Sequence, residues 1–150
     1  MSSSETDLRR GMAILEQYRA QIESLAQQQE IVRLSLEEHL RAKETLSRYR
    51  EAGKGAEVLV PVGANAFVVS EVRDPEKALI GIGSDLIVYD AIPSQIERLE
   101  ARITSISEAA NAIGQRLAEL QRRADAQGAF VQEAYESLAS KGLAEPGERE

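Results

Sequence analysis

Cysteine and tryptophan are absent from the 150 residues of the chain, histidine occurs once, and aromatic residues make up only 4%. The absence of cysteine excludes a disulfide framework, a thiolate metal site and a cysteine nucleophile. No apolar run reaches the roughly 20 residues that a membrane-spanning helix needs. We therefore expect no membrane partner and a location in the cytoplasm.

Positive charge is also in short supply. The chain has 18 lysine and arginine residues against 25 aspartate and glutamate residues, which gives a formal net charge of −7 and a sequence pI near 4.9. Nucleic-acid phosphates favour clustered basic side chains, and the sequence contains no basic block. We therefore expect no nucleic-acid partner. The length corresponds to about one domain.

Two long segments, residues 6–51 and 93–140, carry apolar residues at alternating spacings of three and four. This spacing keeps one apolar stripe on a helix, which is the seam that a partner helix covers. The first seam runs through Leu8, Gly11, Leu15, Tyr18, Ile22, Leu25, Gln29, Val32, Leu36, His39, Lys43 and Leu46. The second runs through Ile96, Leu99, Ile103, Ile106, Ala110, Ile113, Leu117, Leu120, Ala124, Gln127, Val131, Ala134 and Leu138. Two seams of nearly equal length predict a long antiparallel coiled-coil hairpin whose chain ends meet at one tip.

The pattern between the helical segments, over residues 57–90, is typical of β-structure. Gly53 and Gly55 favour the left-handed backbone that follows a helix, so the first helix should end there. Strand-forming runs then alternate with turn residues. The predicted turns are Pro61 to Asn65, Asp74 to Lys77 and Gly83 to Asp85. We therefore predict an α+β fold with two tandem β-hairpins between the helices.

Apolar residues face both sides of the predicted strands instead of alternating with polar ones, as in strands that are covered on both faces. Two slender helices cannot cover both faces of two hairpins, and unpaired strand edges attract other strands. We therefore predict that hairpins of several chains join in a shared sheet or barrel. The residues predicted for this oligomerisation are Val58, Val60, Phe67, Val69, Leu79, Ile80, Ile82, Leu86, Ile87 and Val88.

The helix ends are less sharply defined by the sequence. Ser4 or Thr6 is suited to cap the first helix. The second helix begins either with a capping box at Ser94 or with Pro93 in its first turn. Residues 141–150 contain glycine and proline among acidic residues, so we predict a disordered acidic tail there.

Several stretches of the predicted β region resemble the alpha class of prefoldin subunits, and in particular the archaeal type. They are EVLVPVG at 57–63, AFV at 66–68, IGIG at 80–83 and LIV at 86–88. Two hairpins instead of one distinguish the alpha class from the beta class. The resemblance covers nearly the whole chain, and it implies a double β-barrel platform from which the helices extend as coiled-coil tentacles.

The resemblance also implies a molecular chaperone, not an enzyme, that works without ATP and without a cofactor. Such a chaperone is a hexamer of two alpha and four beta subunits. It holds unfolded polypeptides between the tips of its tentacles and passes them to a group II chaperonin. The expected partners are therefore prefoldin beta subunits, unfolded polypeptide clients and a group II chaperonin.

Apolar residues outside the seams add an observation from the sequence itself. Met12, Ile14, Phe130 and Tyr135 lie off the seams, near the tip where the start of the first helix meets the end of the second. Exposed apolar clusters often mark binding surfaces, and methionine adapts to varied partners. The predicted client-binding tip comprises Leu8, Met12, Ile14, Leu15, Phe130, Val131, Tyr135 and Leu138.

The tip residues and the acidic charge of the helices each have a second interpretation. The tip residues could serve only to close the coiled coil, because Ile31, Leu34 and Leu40 also lie off the seam without being near the tip. The acidic arms could attract basic client segments or a positive chaperonin surface, or they could be ordinary solvated helix faces.

No motif supports catalysis. Gly53-Lys54-Gly55 lacks the full phosphate-loop signature, and the glycine pair at 81 and 83 lacks the third glycine of a dinucleotide site. His39 occupies a seam without a cysteine or histidine nearby in the sequence. We interpret it as a polar residue that sets helix register and not as a metal ligand.

Two other classes of protein also use paired helices. A structural or scaffolding subunit of a prefoldin-like complex would assemble in the same way but would not protect unfolded clients in general. A regulator resembling transcript-cleavage factors would place an acidic loop where its two helices join. The β region occupies that join in this chain, so the topology disfavours the regulator.

Overall fold

The fold is given by a computed structural model that describes residues 3–144. Its elements are helix α1 (Ser3–Ala52), strands β1 (Glu57–Gly63), β2 (Ala66–Glu71), β3 (Lys77–Gly83) and β4 (Leu86–Ala91), and helix α2 (Ile92–Ala144). β1 pairs antiparallel with β2, and β3 with β4, in two separate two-stranded sheets. The predicted α+β class, with two tandem hairpins between two long helices, is confirmed. Among the described residues, no helix contains a stretch long and apolar enough to cross a bilayer.

Both helices begin earlier than predicted. α1 begins at Ser3, so Ser4 and Thr6 lie inside the helix and neither caps it. α2 begins at Ile92, which puts Pro93 in the first helical turn. The missing N–H of proline costs no intrahelical hydrogen bond at that position. Of the two starts that the sequence allows, the structure has the one that uses proline.

α2 also ends later than predicted. The helix continues to Ala144, so residues 141–144 are helical and the predicted disordered tail is wrong for these residues. A single glycine costs a helix only about 1 kcal/mol relative to alanine, and Gly142 is surrounded by lysine, leucine and alanine, which are strong helix formers. Residues 145–150 of the predicted tail lie outside the described residues.

Each hairpin turns through two residues with positive φ. Ala64 and Asn65 connect β1 to β2 with φ of 49° and 60°, and Ser84 and Asp85 connect β3 to β4 with φ of 50° and 60°. Positive φ at both central positions is the signature of a type I′ turn, whose twist matches that of the flanking strands. The turn predicted over residues 61–65 is therefore shorter in the structure, since β1 extends into it.

The second hairpin repeats the first at a fixed offset along the chain. The strand lengths, the irregularity before the turn and the pairing register all recur. The backbone hydrogen bond at the base recurs as well: Val72 N–H donates to the Ala56 oxygen at 2.9 Å, and Ile92 N–H donates to the Glu76 oxygen at 2.8 Å. Val72 and Ile92 are the equivalent residues, and both are fully buried. One local arrangement is therefore used twice.

The chain forms two compact units. One combines α1 up to Val32 with α2 from Ala109 onward, and the other spans Arg33–Glu108. The buried apolar side chains are Leu15 and Leu120 in the first unit and Val72, Ile92 and Leu99 in the second. Every residue of the two predicted seams is buried or half-buried except Gln29. The core is small because each helix has only one stripe to bury.

We expect Ile92→Ala to lower the free energy of unfolding by about 2–5 kcal/mol, because it leaves a cavity at a fully buried position. Ile31→Ala is the matched control, since Ile31 is 67% exposed on α1. Its replacement should change the stability by less than about 0.5 kcal/mol. Urea unfolding followed by circular dichroism measures both variants. Equal destabilisation would contradict the buried position of Ile92.

Candidate functional site

The hairpins expose large apolar side chains on both of their faces. Successive residues of a β-strand point to opposite faces, yet Val68 and Val69 are 50% and 59% exposed, and Leu86 and Ile87 are 59% and 64% exposed. A hairpin of two β-strands is marginally stable alone in water. These faces therefore form an apolar surface that another chain can cover.

The predicted oligomerisation residues lie largely on this surface. Exposed among them are Val60, Phe67, Val69, Leu79, Ile82, Leu86, Ile87 and Val88, whereas Val58 and Ile80 are half-buried. The prediction left out Leu59, Val62, Val68 and Tyr89, which are also large, apolar and exposed in the same strands. Apolar residues at consecutive positions were the signal for them. Their role in oligomerisation stays a prediction.

The outer edges of β1 and β3 differ in their backbone donors. Val72 N–H donates to the oxygen of Ala56, and in an antiparallel pair the N–H and C=O groups of successive residues point alternately toward the partner strand and away from it. The backbone groups of every second β1 residue, including Pro61, therefore point away from β2. The repeated hydrogen bond of the second hairpin directs the equivalent β3 residues, including Gly81, away from β4. Proline has no N–H to offer, whereas glycine does. The β1 edge is therefore blunted, and the β3 edge keeps its full set of outward donors.

The outer edge of β4 is closed at one end by a side chain. Ala91 N–H, which belongs to the outward-pointing set, donates to Asp90 Oδ1 at 2.9 Å. Asp90 Oδ2 lies 3.2 Å from Arg98 Nη1 at the start of α2. The last outward donor of β4 is thus already used within the chain.

An apolar groove of about 530 Å³ lies along β3. Its walls include Leu46 of α1, Leu99 of α2 and the residues Ala78, Ile80 and Gly81 of β3. A Cβ atom added at Gly81 would have no neighbour within 4 Å. A strand that paired with the β3 edge would therefore place its side chains next to apolar walls.

The start of α1 packs against α2 at Gly11. This glycine is buried, and its carbonyl oxygen accepts a hydrogen bond of 3.0 Å from Gln127 Nε2. The ring of Phe130 lies so close that a Cβ at Gly11 would come within 3.2 Å of Phe130 Cε1. The lack of a side chain at Gly11 therefore lets the aromatic ring rest against the α1 backbone.

At least two grooves are lined by residues of the unit that combines α1 up to Val32 with α2 from Ala109 onward. The first, which we call the methionine groove, has a volume of about 530 Å³ and includes Met12, Leu15, Gly128 and Val131 in its walls. The second, which we call the phenylalanine groove, has a volume of about 330 Å³. It is lined by Ser4, Asp7, Phe130, Glu133, Ala134 and Ser137. The two grooves share no lining residue.

The structure divides the predicted client-binding tip by burial. Met12, Ile14, Phe130 and Tyr135 are exposed, whereas Leu8, Val131 and Leu138 are half-buried and Leu15 is buried. Met12 and Phe130 line different grooves, and Ile14 and Tyr135 line neither of them. The four exposed residues are thus not all in one groove. Their role in client binding stays a prediction.

Sequence reasoning did not single out the contacts that shape the phenylalanine groove. Gly11 and Gln127 were predicted as seam residues and not as a contact between the helices, and Asp7 and Glu133 were not named at all. A glycine and a glutamine at neighbouring seam positions were the available signal for a close helix contact. Nothing in the spacing alone identified the two carboxylates.

Two polar seam residues, His39 and Lys43, form polar contacts with helix groups. The half-buried His39 donates from Nδ1 to the oxygen of Ser35 at 2.7 Å, within α1. Lys43 Nζ lies 3.3 Å from Glu100 Oε1 and so joins α1 to α2. The part of the chain that the structure describes contains no group of three or more potential metal ligands. The interpretation of His39 as a register residue stays a prediction.

Known proteins provide an independent comparison. The family profile for the prefoldin subunit matches residues 18–137. The chain is 27% identical to prefoldin subunit alpha of Methanosarcina mazei over 138 residues, which cover 88% of this chain and 97% of the relative. It is 32% identical to prefoldin subunit alpha of Methanoculleus marisnigri over 121 residues, which cover 81% and 80% of the two chains.

Solved structures share the fold. The cryo-electron-microscopy structure of filamentous PFD from Methanocaldococcus jannaschii aligns with a TM-score of 0.61 at 24% identity, over 77% of this chain and 95% of that one. The crystal structure of the prefoldin beta subunit from Thermococcus strain KS-1 aligns with a TM-score of 0.58 at 21% identity, over 85% and 91%. At sequence identities this low, the two structural alignments show a shared fold and nothing about function.

Proposed function

Because the chain belongs to the prefoldin family, we propose that it is an alpha subunit of an ATP-independent holdase. Prefoldin is a chaperone family and not an enzyme family, so a chaperone-type subunit is the general role. The assembled complex captures unfolded polypeptides and delivers them to a group II chaperonin. The observation that supports it most is the exposed apolar surface on the hairpins, together with the grooves near the start of α1.

In this proposal the hairpins are the surface through which chains assemble. Their two exposed faces and their outer edges need cover, and hairpins from other chains provide it by closing into a β-barrel platform. The complex we propose is a hexamer of two copies of this chain and four prefoldin beta subunits. We propose that it acts in the cytoplasm, as expected from the sequence.

The contrast between Pro61 and Gly81 supports the β3 edge as the place where a partner strand pairs. Each outward N–H of β3 can donate to a carbonyl oxygen of the added strand, whereas β1 lacks one such donor at Pro61. The apolar groove along β3 would receive side chains of that strand. β-Strand addition of this kind takes its affinity from backbone hydrogen bonds and its specificity from side-chain pockets.

Gly81→Pro should therefore weaken assembly. It removes one outward donor, and a net hydrogen bond of about 0.5–1.5 kcal/mol corresponds to a rise of about two- to tenfold in the dissociation constant of each interface. Gly81→Ala is the matched control, because it keeps the N–H and its Cβ meets no atom of this chain. Sedimentation of the complex, co-expressed with prefoldin beta subunits, measures the dissociation constants. Circular dichroism checks that the hairpins persist. Unchanged assembly of a folded Gly81→Pro variant would contradict pairing at β3.

Client binding is assigned in this proposal to the exposed residues near the start of α1 and the end of α2. Met12, Ile14, Phe130 and Tyr135 present apolar surface that the helix pair leaves open. Methionine and aromatic side chains suit clients without a fixed sequence, because they make large contacts and adapt in shape. The half-buried seam residues beside them support these side chains and make fewer contacts with a client.

Replacing Met12, Ile14, Phe130 and Tyr135 together by serine should weaken client binding by at least about tenfold, since one half-covered apolar side chain already contributes about 1 kcal/mol or more. The matched control replaces Ile31, Leu34 and Leu40 by serine, because these residues are also exposed on α1. A chemically unfolded client is diluted into each variant complex, co-expressed with prefoldin beta subunits, and light scattering measures how far the complex suppresses aggregation of the client. Assembly should be intact in both variants. Equal protection by both variants would contradict client binding at the four replaced residues, whereas a wild-type complex that gives no protection would favour a scaffolding subunit over a holdase.

A further inference from the structure

The phenylalanine groove has an aromatic wall that is held in place. Phe130 rests on the backbone of Gly11, and the hydrogen bond from Gln127 Nε2 to the Gly11 oxygen fixes the same point of contact between the helices. Phe130 nevertheless is 49% exposed. The aromatic ring is therefore positioned before any ligand arrives.

Two carboxylates from different helices line the same groove. Asp7 belongs to α1 and Glu133 to α2, and both side chains are exposed. Within the described residues, neither carboxylate takes part in an ion pair or a hydrogen bond. Arg10 follows Asp7 by one helical turn, but it neither lines the groove nor pairs with Asp7. Among the described residues, no lysine or arginine therefore forms an ion pair with the two carboxylates of this groove.

The methionine groove differs in its chemistry. Its walls combine Met12, Leu15 and Val131 with one acidic and one basic side chain, Glu16 and Arg19. The opposite charges give this groove no preference for either sign of ligand. These two grooves therefore offer different surfaces: the methionine groove has charged residues of both signs, whereas the charged residues of the phenylalanine groove are both acidic.

We propose that the phenylalanine groove binds lysine and arginine side chains of unfolded clients, an inference that rests on the proposed holdase function. The aliphatic stem of a long basic side chain packs on an apolar wall, and its cationic head is attracted by an aromatic face. Asp7 and Glu133, which both line the groove, supply the complementary charge. A client segment that carries a basic residue among apolar ones would thus be preferred over a purely apolar segment.

The test uses two fluorescein-labelled, unstructured peptides made of glycine, serine and leucine. One carries several lysines, and the other carries glutamines at the same positions. Fluorescence anisotropy measures their binding to the full chain, either wild type or Asp7→Asn/Glu133→Gln. The matched control, Glu23→Gln/Asp125→Asn, removes the same charge at exposed positions that line neither groove.

We expect the wild type to prefer the lysine peptide and the groove variant to bind it about fivefold more weakly, as for two exposed charge pairs. The glutamine peptide should bind all three proteins equally, and added salt should remove the lysine preference. Equal binding of the two peptides by the wild type, or equal loss in the control variant, would overturn the groove assignment alone. Failure of the wild type to bind either peptide would overturn it together with the holdase proposal.

Discussion

The organisation of this molecule depends on one constraint: a hairpin of two β-strands has too little interior to bury apolar side chains on both of its faces. The chain places two such hairpins between two helices, and each helix has a single apolar stripe, which it uses to pack on the other helix. The strand faces therefore stay exposed in the single chain. Assembly with other chains follows from this constraint, and it leaves the helix surfaces away from the hairpins available for other contacts.

The two hairpins are near copies in geometry but not in edge chemistry. Turn type, register and the hydrogen bond at the base recur, and the two residues at that base, Val72 and Ile92, are both buried. The difference is that Pro61 stands in the first hairpin where Gly81 stands in the second. A repeated hairpin with one blunted edge reduces the number of ways in which strands can pair, which guards against uncontrolled association.

The sequence was sufficient for the fold because its periodic signals are long. Seam spacing predicted both helices, and Gly53 was correctly predicted to follow the end of α1, where its φ is 80°. The predicted end of α2 was wrong because the residues around Gly142 favour a helix, and a single glycine is too weak to end it. The surface formed by the start of α1 and the end of α2 was harder to predict from the sequence, because it depends on contacts between residues far apart in the chain. The packing of Phe130 on Gly11 and the joint lining of one groove by Asp7 and Glu133 follow from helix register, which seam spacing alone does not specify.

We propose that the hairpins assemble chains while the start of α1 and the end of α2 bind clients. Hydrogen exchange followed by mass spectrometry tests it most directly, on the chain alone, in its co-expressed complex and with an unfolded client added. We predict that assembly slows exchange in residues 57–91, and that client addition slows it in residues 4–15 and 128–138. Client protection confined to the hairpins, or assembly protection confined to the helices, would contradict it.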